Sequence, residues 1–181
     1  MKKIILGLFL IGLAIQSYSQ EVLFQAKIKK EKVPIAVIES VGEEFGYLEE
    51  IEFFAVPIVF IEEDVYINST INSDEDYETY QVVLKAKNTI ITATYDKEGK
   101  LYSTVEVGKD IEPAIEVKDA MLSAFPGWVI TKDRYKMTHY SGKQKKERYK
   151  FIIAKGKSEK VVYMNGTGEI LKVHKKINLE L

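Results

Sequence analysis

Two stretches of this 181-residue chain alternate apolar and polar residues on both sides of a glycine-bearing turn, and that pattern limits the fold more than any other feature. In the first, Tyr80, Val82 and Leu84 alternate with Gln81, Val83 and Lys85, and β-branched residues fill Thr89 to Thr94. Asp96-Lys97-Glu98-Gly99 then supplies a side-chain acceptor and a residue free to adopt positive φ, and Leu101 to Val107 resumes the alternation. In the second, Tyr149, Phe151 and Ile153 precede Lys160 to Met164, the turn Asn165-Gly166-Thr167-Gly168, and Glu169 to Val173. Both predict antiparallel hairpins.

Helical spacing precedes each of these stretches. Val37, Val41 and Phe45, with Ile38 beside them, lay one apolar stripe along a helix; Pro34 suits its first turn and Gly46 its end. Ile111-Glu112-Pro113 opens a second helix with Ala114, Val117, Met121 and Phe125 on one face, Ile115 and Leu122 flanking it, and Pro126-Gly127 ending it. Tyr95 to Leu101 lines up with Met164 to Ile170, and Pro34 and Phe45 line up with Pro113 and Phe125. The expectation is a duplication, with one copy over 33–108 and another over 109–181. The first copy carries an insertion before Tyr80. Residues 20–32 form a lead-in, with a short strand around Val22-Leu23-Phe24 and a lysine-rich connector. The expected fold class is α+β, a tandem repeat of a helix packed on an antiparallel sheet.

The amino end predicts a compartment. Lys2 and Lys3 precede an apolar run from Ile4 to Ile15, and Ser17-Tyr18-Ser19 supplies small residues for signal-peptidase cleavage before Gln20. The run is short of the ~20 residues needed to cross a bilayer as a helix. A lipid anchor of the lipoprotein kind needs a cysteine, and the chain has none. Residues 1–19 are therefore expected to be removed, leaving a periplasmic or secreted protein without a membrane span, held by its core rather than by disulfides.

The formal charge of −1 gives no overall footprint for nucleic acid. Its distribution is uneven. Val33 to Leu84 contains no Lys or Arg, while acids cluster at Glu49-Glu50, Glu62-Glu63-Asp64 and Asp74-Glu75-Asp76. The segment from Lys132 to Lys160 is the reverse, with Lys143, Lys145, Lys146, Arg148, Lys150, Lys155 and Lys157. Each can be a solvated face, or the two can attract one another or a charged partner.

Val33-Pro34 opening a helix, the Tyr80 to Leu84 strand, Tyr95-Asp96-x-x-Gly99-Lys100-Leu101 and Ala124-Phe125-Pro126-Gly127-Trp128 leading into Ile130 resemble the PepSY-like domains of exported Bacteroidetes proteins. That family is named for similarity to the PepSY domain and to the beta-lactamase inhibitory protein. The resemblance covers nearly the whole chain after residue 19. It implies a helix-on-antiparallel-sheet unit present twice, no cofactor, and protein binding or inhibition in the cell envelope. The first copy departs from the pattern, with Phe45-Gly46-Tyr47 in place of Phe-Pro-Gly-Trp and an unusually acidic insertion.

No catalytic motif emerges. A nucleophile needs a base within hydrogen-bond reach, and only His139 and His174 exist. His139 falls in the polar segment Thr138-His139-Tyr140-Ser141-Gly142, read as a turn, and Ser141 lacks a Gly-x-Ser-x-Gly elbow. His174 alternates outward near the end of the last strand. Asn72-x-Asp74-x-Asp76 resembles the start of a calcium loop, but Tyr77 stands where glycine is needed. A nucleotidyltransferase would need a His-x-Gly-His motif, which is absent. Among the aromatics, Trp128 reads as core, and Tyr102 and Tyr135 as an exposed sheet face. The expected partner-binding residues are Tyr102, Tyr135, Lys145, Lys146 and Arg148, meeting a protein or peptide, with no catalytic, cofactor or metal site. The competing classes are an exported enzyme, which a pocket joining His139 to an acid and a hydroxyl would favour, and a purely structural envelope module.

Overall fold

Residues 26–46, 50–61, 64–67 and 77–175 are described in a computed structural model. The export segment 1–19, the expected strand at 22–24, the acidic residues 62–63 and the calcium-like residues 72–76 lie outside them. The chain runs through β1 (Ala26–Ile28), a 3-10 turn (Lys30–Lys32), α1 (Ile35–Phe45), β2 (Glu50–Val56), β3 (Ile58–Ile61), β4 (Asp64–Ile67) and β5 (Thr79–Lys85). It continues through β6 (Thr89–Asp96), β7 (Leu101–Gly108), α2 (Ile115–Ala124), β8 (Val129–Tyr140), β9 (Lys146–Lys155), β10 (Ser158–Asn165) and β11 (Ile170–Lys175). β1 occupies part of the stretch expected to be a connector.

Nine strands form one sheet in the order β1-β2-β5-β6-β7-β8-β9-β10-β11, and every neighbouring pair is antiparallel. β3 and β4 form a separate hairpin within the segment read as an insertion. This corrects the expected fold class. The α+β tandem repeat of a helix packed on an antiparallel sheet gives way, among the described residues, to one continuous nine-stranded antiparallel sheet carrying two short helices. The cause is the seam between β7 and β8, where Ser103–Gly108 pair with Tyr140–Tyr135 and the ladder continues without a break. A strand edge left bare presents a row of unpaired N–H and C=O groups, and pairing two such edges satisfies both.

Local chemistry sets the helix ends. The Pro34 carbonyl accepts the N–H groups of Val37 and Ile38, and Gly46, at φ +69°, donates to the Gly42 carbonyl. The Ala114 carbonyl accepts Val117 and Lys118 in the same way, and α2 stops at Ala124, ahead of Pro126-Gly127. Val37 and Val41 of α1 pack over Phe53, Val82, Leu84, Ala93 and Tyr95. Val117 and Met121 of α2 pack over Tyr135, Tyr149, Phe151, Ile153, Val162 and Met164. Burying one such side chain contributes about 1.5–3 kcal/mol.

The hairpin turns are keyed to the helices. Gly99 and Gly168 sit at φ +84° and +86°, and a Cβ on either would lie 2.6 Å from a helix carbonyl, of Ala36 and Glu116 respectively. Asp96 Oδ1 accepts the Lys100 N–H at 2.8 Å, and Asn165 Oδ1 accepts the Glu169 N–H at 2.9 Å. With both helices on one face, the opposite face of the sheet is bare of helix among the described residues.

Candidate functional site

Side-chain parity decides what that bare face displays. On β8 Tyr135 turns inward, so Arg134 and Lys136 turn outward. On β9 Tyr149, Phe151 and Ile153 turn inward, leaving Lys146, Arg148 and Lys150 on the other side. Tyr163 of β10 faces outward between buried Val162 and Met164, and Lys172 of β11 lies opposite it.

The register brings like charges together. Arg134 pairs with Lys150, and Lys136 with Arg148. Directly opposed like charges destabilise a sheet. Among the described residues none of Arg134, Lys136, Lys146, Arg148, Lys150 and Lys172 has an ion-pair partner. The Arg134 and Arg148 guanidiniums donate to the backbone carbonyls of Asp133 and Glu147, and Lys150 Nζ lies 5.8 Å from the centroid of the Tyr163 ring. His174, exposed on β11, meets the Tyr163 ring edge-on at 6.1 Å.

The same face at the other end of the sheet is neutralised. Glu52 on β2 bonds Lys27 on β1 at 2.6 Å and Lys85 on β5 at 2.8 Å. Those two lysine hydrogen bonds hold the Glu52 carboxyl at about 2, and the same carboxylate pushes Lys85 upward. On β8 to β11 Glu159 of β10 shares the face of Tyr163, but among the described residues no ion pair joins an acid to Arg134, Lys136, Arg148 or Lys150.

Of the expected site residues, Lys146 and Arg148 lie on this strip, and the other three lie elsewhere. Lys145 reaches the helix side, 3.4 Å from Glu147 Oε1. Tyr135 is not on an exposed face: it is 9% exposed, its ring lies tilted against that of Tyr149 with centroids 5.0 Å apart, and its hydroxyl donates to Glu147 Oε1 at 2.9 Å. Burial first, and then that bond, push the Tyr135 hydroxyl upward. Burial also raises the Glu106 carboxyl, with the Glu147 charge adding to it and Lys145 opposing. Tyr102 is half-buried on β7 under Lys100 Nζ, and its carbonyl accepts the Ser141 N–H.

The sequence reading missed Arg134, Lys136, Lys150 and Lys172 as partners of Lys146 and Arg148. The signal was present, because Lys132, Arg134 and Lys136, and again Lys146, Arg148 and Lys150, recur at every second position. His139, expected in a turn, lies within β8 opposite Thr104. Trp128, expected as core, is half-buried beside the second cluster, with Lys160 Nζ 4.7 Å from its ring centroid. No helix among the described residues is long and apolar enough to cross a membrane, and they contain no group of three or more metal-ligating side chains.

No family model and no curated protein matches this chain. Solved structures overlap it partially. A protein of Bacteroides eggerthii DSM 20697 described as one of the "putative periplasmic proteins" is 10% identical, covering 79% of this chain and 88% of that one, at a TM-score of 0.38. A DUF2874 family protein of Bacteroides ovatus ATCC 8483 is 11% identical over 79% and 87%, at 0.36. Another from Bacteroides uniformis ATCC 8492 is 10% identical over 79% and 89%, at 0.39. All three scores fall below 0.5, so nothing about the role of this chain follows from them.

Proposed function

We propose that this chain is an exported, non-catalytic module that binds an acidic polypeptide on the bare sheet face of β8 to β11. The observation that carries this reading is the pair of like-charge cross-strand matches, Arg134 with Lys150 and Lys136 with Arg148, unneutralised among the described residues. Such pairs cost stability in the free protein, and an acidic partner turns that cost into attraction. Lys2-Lys3, the apolar run to Ile15 and Ser17-Tyr18-Ser19 support export. The resemblance of Tyr95 to Leu101 and Ala124 to Trp128 to PepSY-like exported domains, with their inhibitor-like relatives, is in keeping with binding rather than catalysis.

The test is titration of the exported protein with a polyglutamate peptide at low and high salt. Binding should weaken as salt rises, because the screening length falls from about 30 Å at 0.01 M to about 8 Å at 0.15 M. The K136E/R148E/K150E variant should bind at least about tenfold more weakly, a loss of about 1.4 kcal/mol or more. Equal affinity of the variant and the natural protein at low salt would refute the reading.

A further inference from the structure

The sheet has a notch. β7 stops pairing with β8 at Gly108 opposite Tyr135, yet β8 remains paired with β9 back to Val129 opposite Ala154. Residues 129–134 of β8 therefore have a partner strand on one side only, among the described residues. The chain leaving β7 turns away there, with Asp110 at φ +53°, and the Asp133 carboxylate accepts the N–H groups of Asp110 and Ile111 at 3.0 and 3.1 Å.

Beside the free edge on the helix side, a groove of about 410 Å³ runs between α2 and β8, lined by Val117, Met121, Leu122, Phe125, Trp128 and Ile130. Leu122 is 70% exposed and Val129, on the adjoining strand, 66%. On the bare side, a hollow of about 150 Å³ next to the register shift between Ile130 and Lys132 is lined by Lys132, Arg134 and Lys150 together with Asp133 and Ile152. The edge is thus apolar on one side and basic on the other. The chain itself shows how such an edge is filled. β1 pairs antiparallel with Phe53–Ala55 of β2, the strand that follows α1, and packs Ile28 against the first core.

We propose that the 129–134 edge of β8 takes up an extended segment of the partner as an added antiparallel strand. Alternate apolar side chains of that segment enter the α2–β8 groove, and the intervening Asp or Glu side chains meet Lys132 and Arg134. Main-chain hydrogen bonds to the edge supply affinity, and the pockets on alternate sides supply selectivity. The period of two in a strand makes one sequence pattern, apolar and acidic in alternation, satisfy both sides at once. The proposal rests on the preceding reading for the partner's charge, and adds where and how its backbone binds.

The chain carries a single tryptophan, Trp128, which lines the groove and reports occupancy by its fluorescence. Three hexapeptides serve as probes: valine and glutamate alternating, the same residues in two blocks, and hexaglutamate. The alternating peptide should shift Trp128 emission, slow amide exchange at 129–134, and bind at least about tenfold more tightly than the block peptide. The uncharged L122N variant should weaken the alternating peptide several-fold and leave hexaglutamate binding unchanged. Equal affinity of the alternating and block peptides, or unslowed exchange at 129–134, overturns strand addition. If hexaglutamate still binds with its sensitivity to K136E/R148E/K150E intact, the bare-face reading survives that failure. Equal binding of an alternating valine and lysine peptide overturns the acidic pattern.

Discussion

Gly99 and Gly168 carry more of the fold than any apolar residue of their size could. Each needs positive φ, and each lies where a methyl group would press on a helix carbonyl. Gly142, at φ +75°, has nothing within 4 Å of the same position. Alanine at Gly142 should therefore cost about 1–2 kcal/mol, the left-handed penalty alone. G99A and G168A should each cost at least about 2–3 kcal/mol, because helix and turn must also separate. Urea midpoints of the three variants check this, and equal losses would remove the helix contact from the account. These turns were legible in the sequence, since Asp96 to Gly99 and Asn165 to Gly168 declare their φ requirement and acceptor locally. Tyr135 was not, because which face a tyrosine of a strand occupies depends on where the helix lies.

At the scale of elements, charge is handled differently at the two ends of the sheet. Glu52 ties β1, β2 and β5 together through Lys27 and Lys85, and its carboxyl falls from the ordinary 4.5 to about 2. A depressed carboxyl stabilises the folded state above its unfolded value and loses that contribution as pH falls through its folded one. The stability gap between natural protein and E52Q should be full at neutral pH, shrink below about 4.5, and close near 2. Chemical denaturation along that pH series measures it, and a constant gap would sink it. On β8 the opposite holds. K136E places unlike charges across from Arg148 and should raise stability by about 0.2–1 kcal/mol while weakening the acidic peptide. A destabilised K136E would show that the strip is not under repulsion. The apolar faces of α1 and α2 were legible from their spacing of three and four. β1 was not, because three residues give too short an alternation to register.

Across the whole molecule, two apolar clusters share one sheet, joined where Ser103–Gly108 meet Tyr135–Tyr140. V82A in the first cluster should cost about 1–3 kcal/mol, and F151A in the second about 3–5. Because the seam is a full strand ladder, both should lower a single shared melting transition. Calorimetry resolving two transitions in either variant would contradict this. The expected tandem architecture failed at this scale for a definable reason. Alternation tells which residues share a face, but not which strand lies beside which across an intervening helix.

Among the described residues, spatial order in the main sheet is chain order, with the β3–β4 hairpin set aside. Each new strand therefore finds its neighbour already in place, and no early strand waits for a late one. Such local wiring keeps the entropy of loop closure small and favours rapid folding. A polypeptide emerging amino end first can grow this sheet by accretion, with its newest strand as the growing edge until β11 completes it.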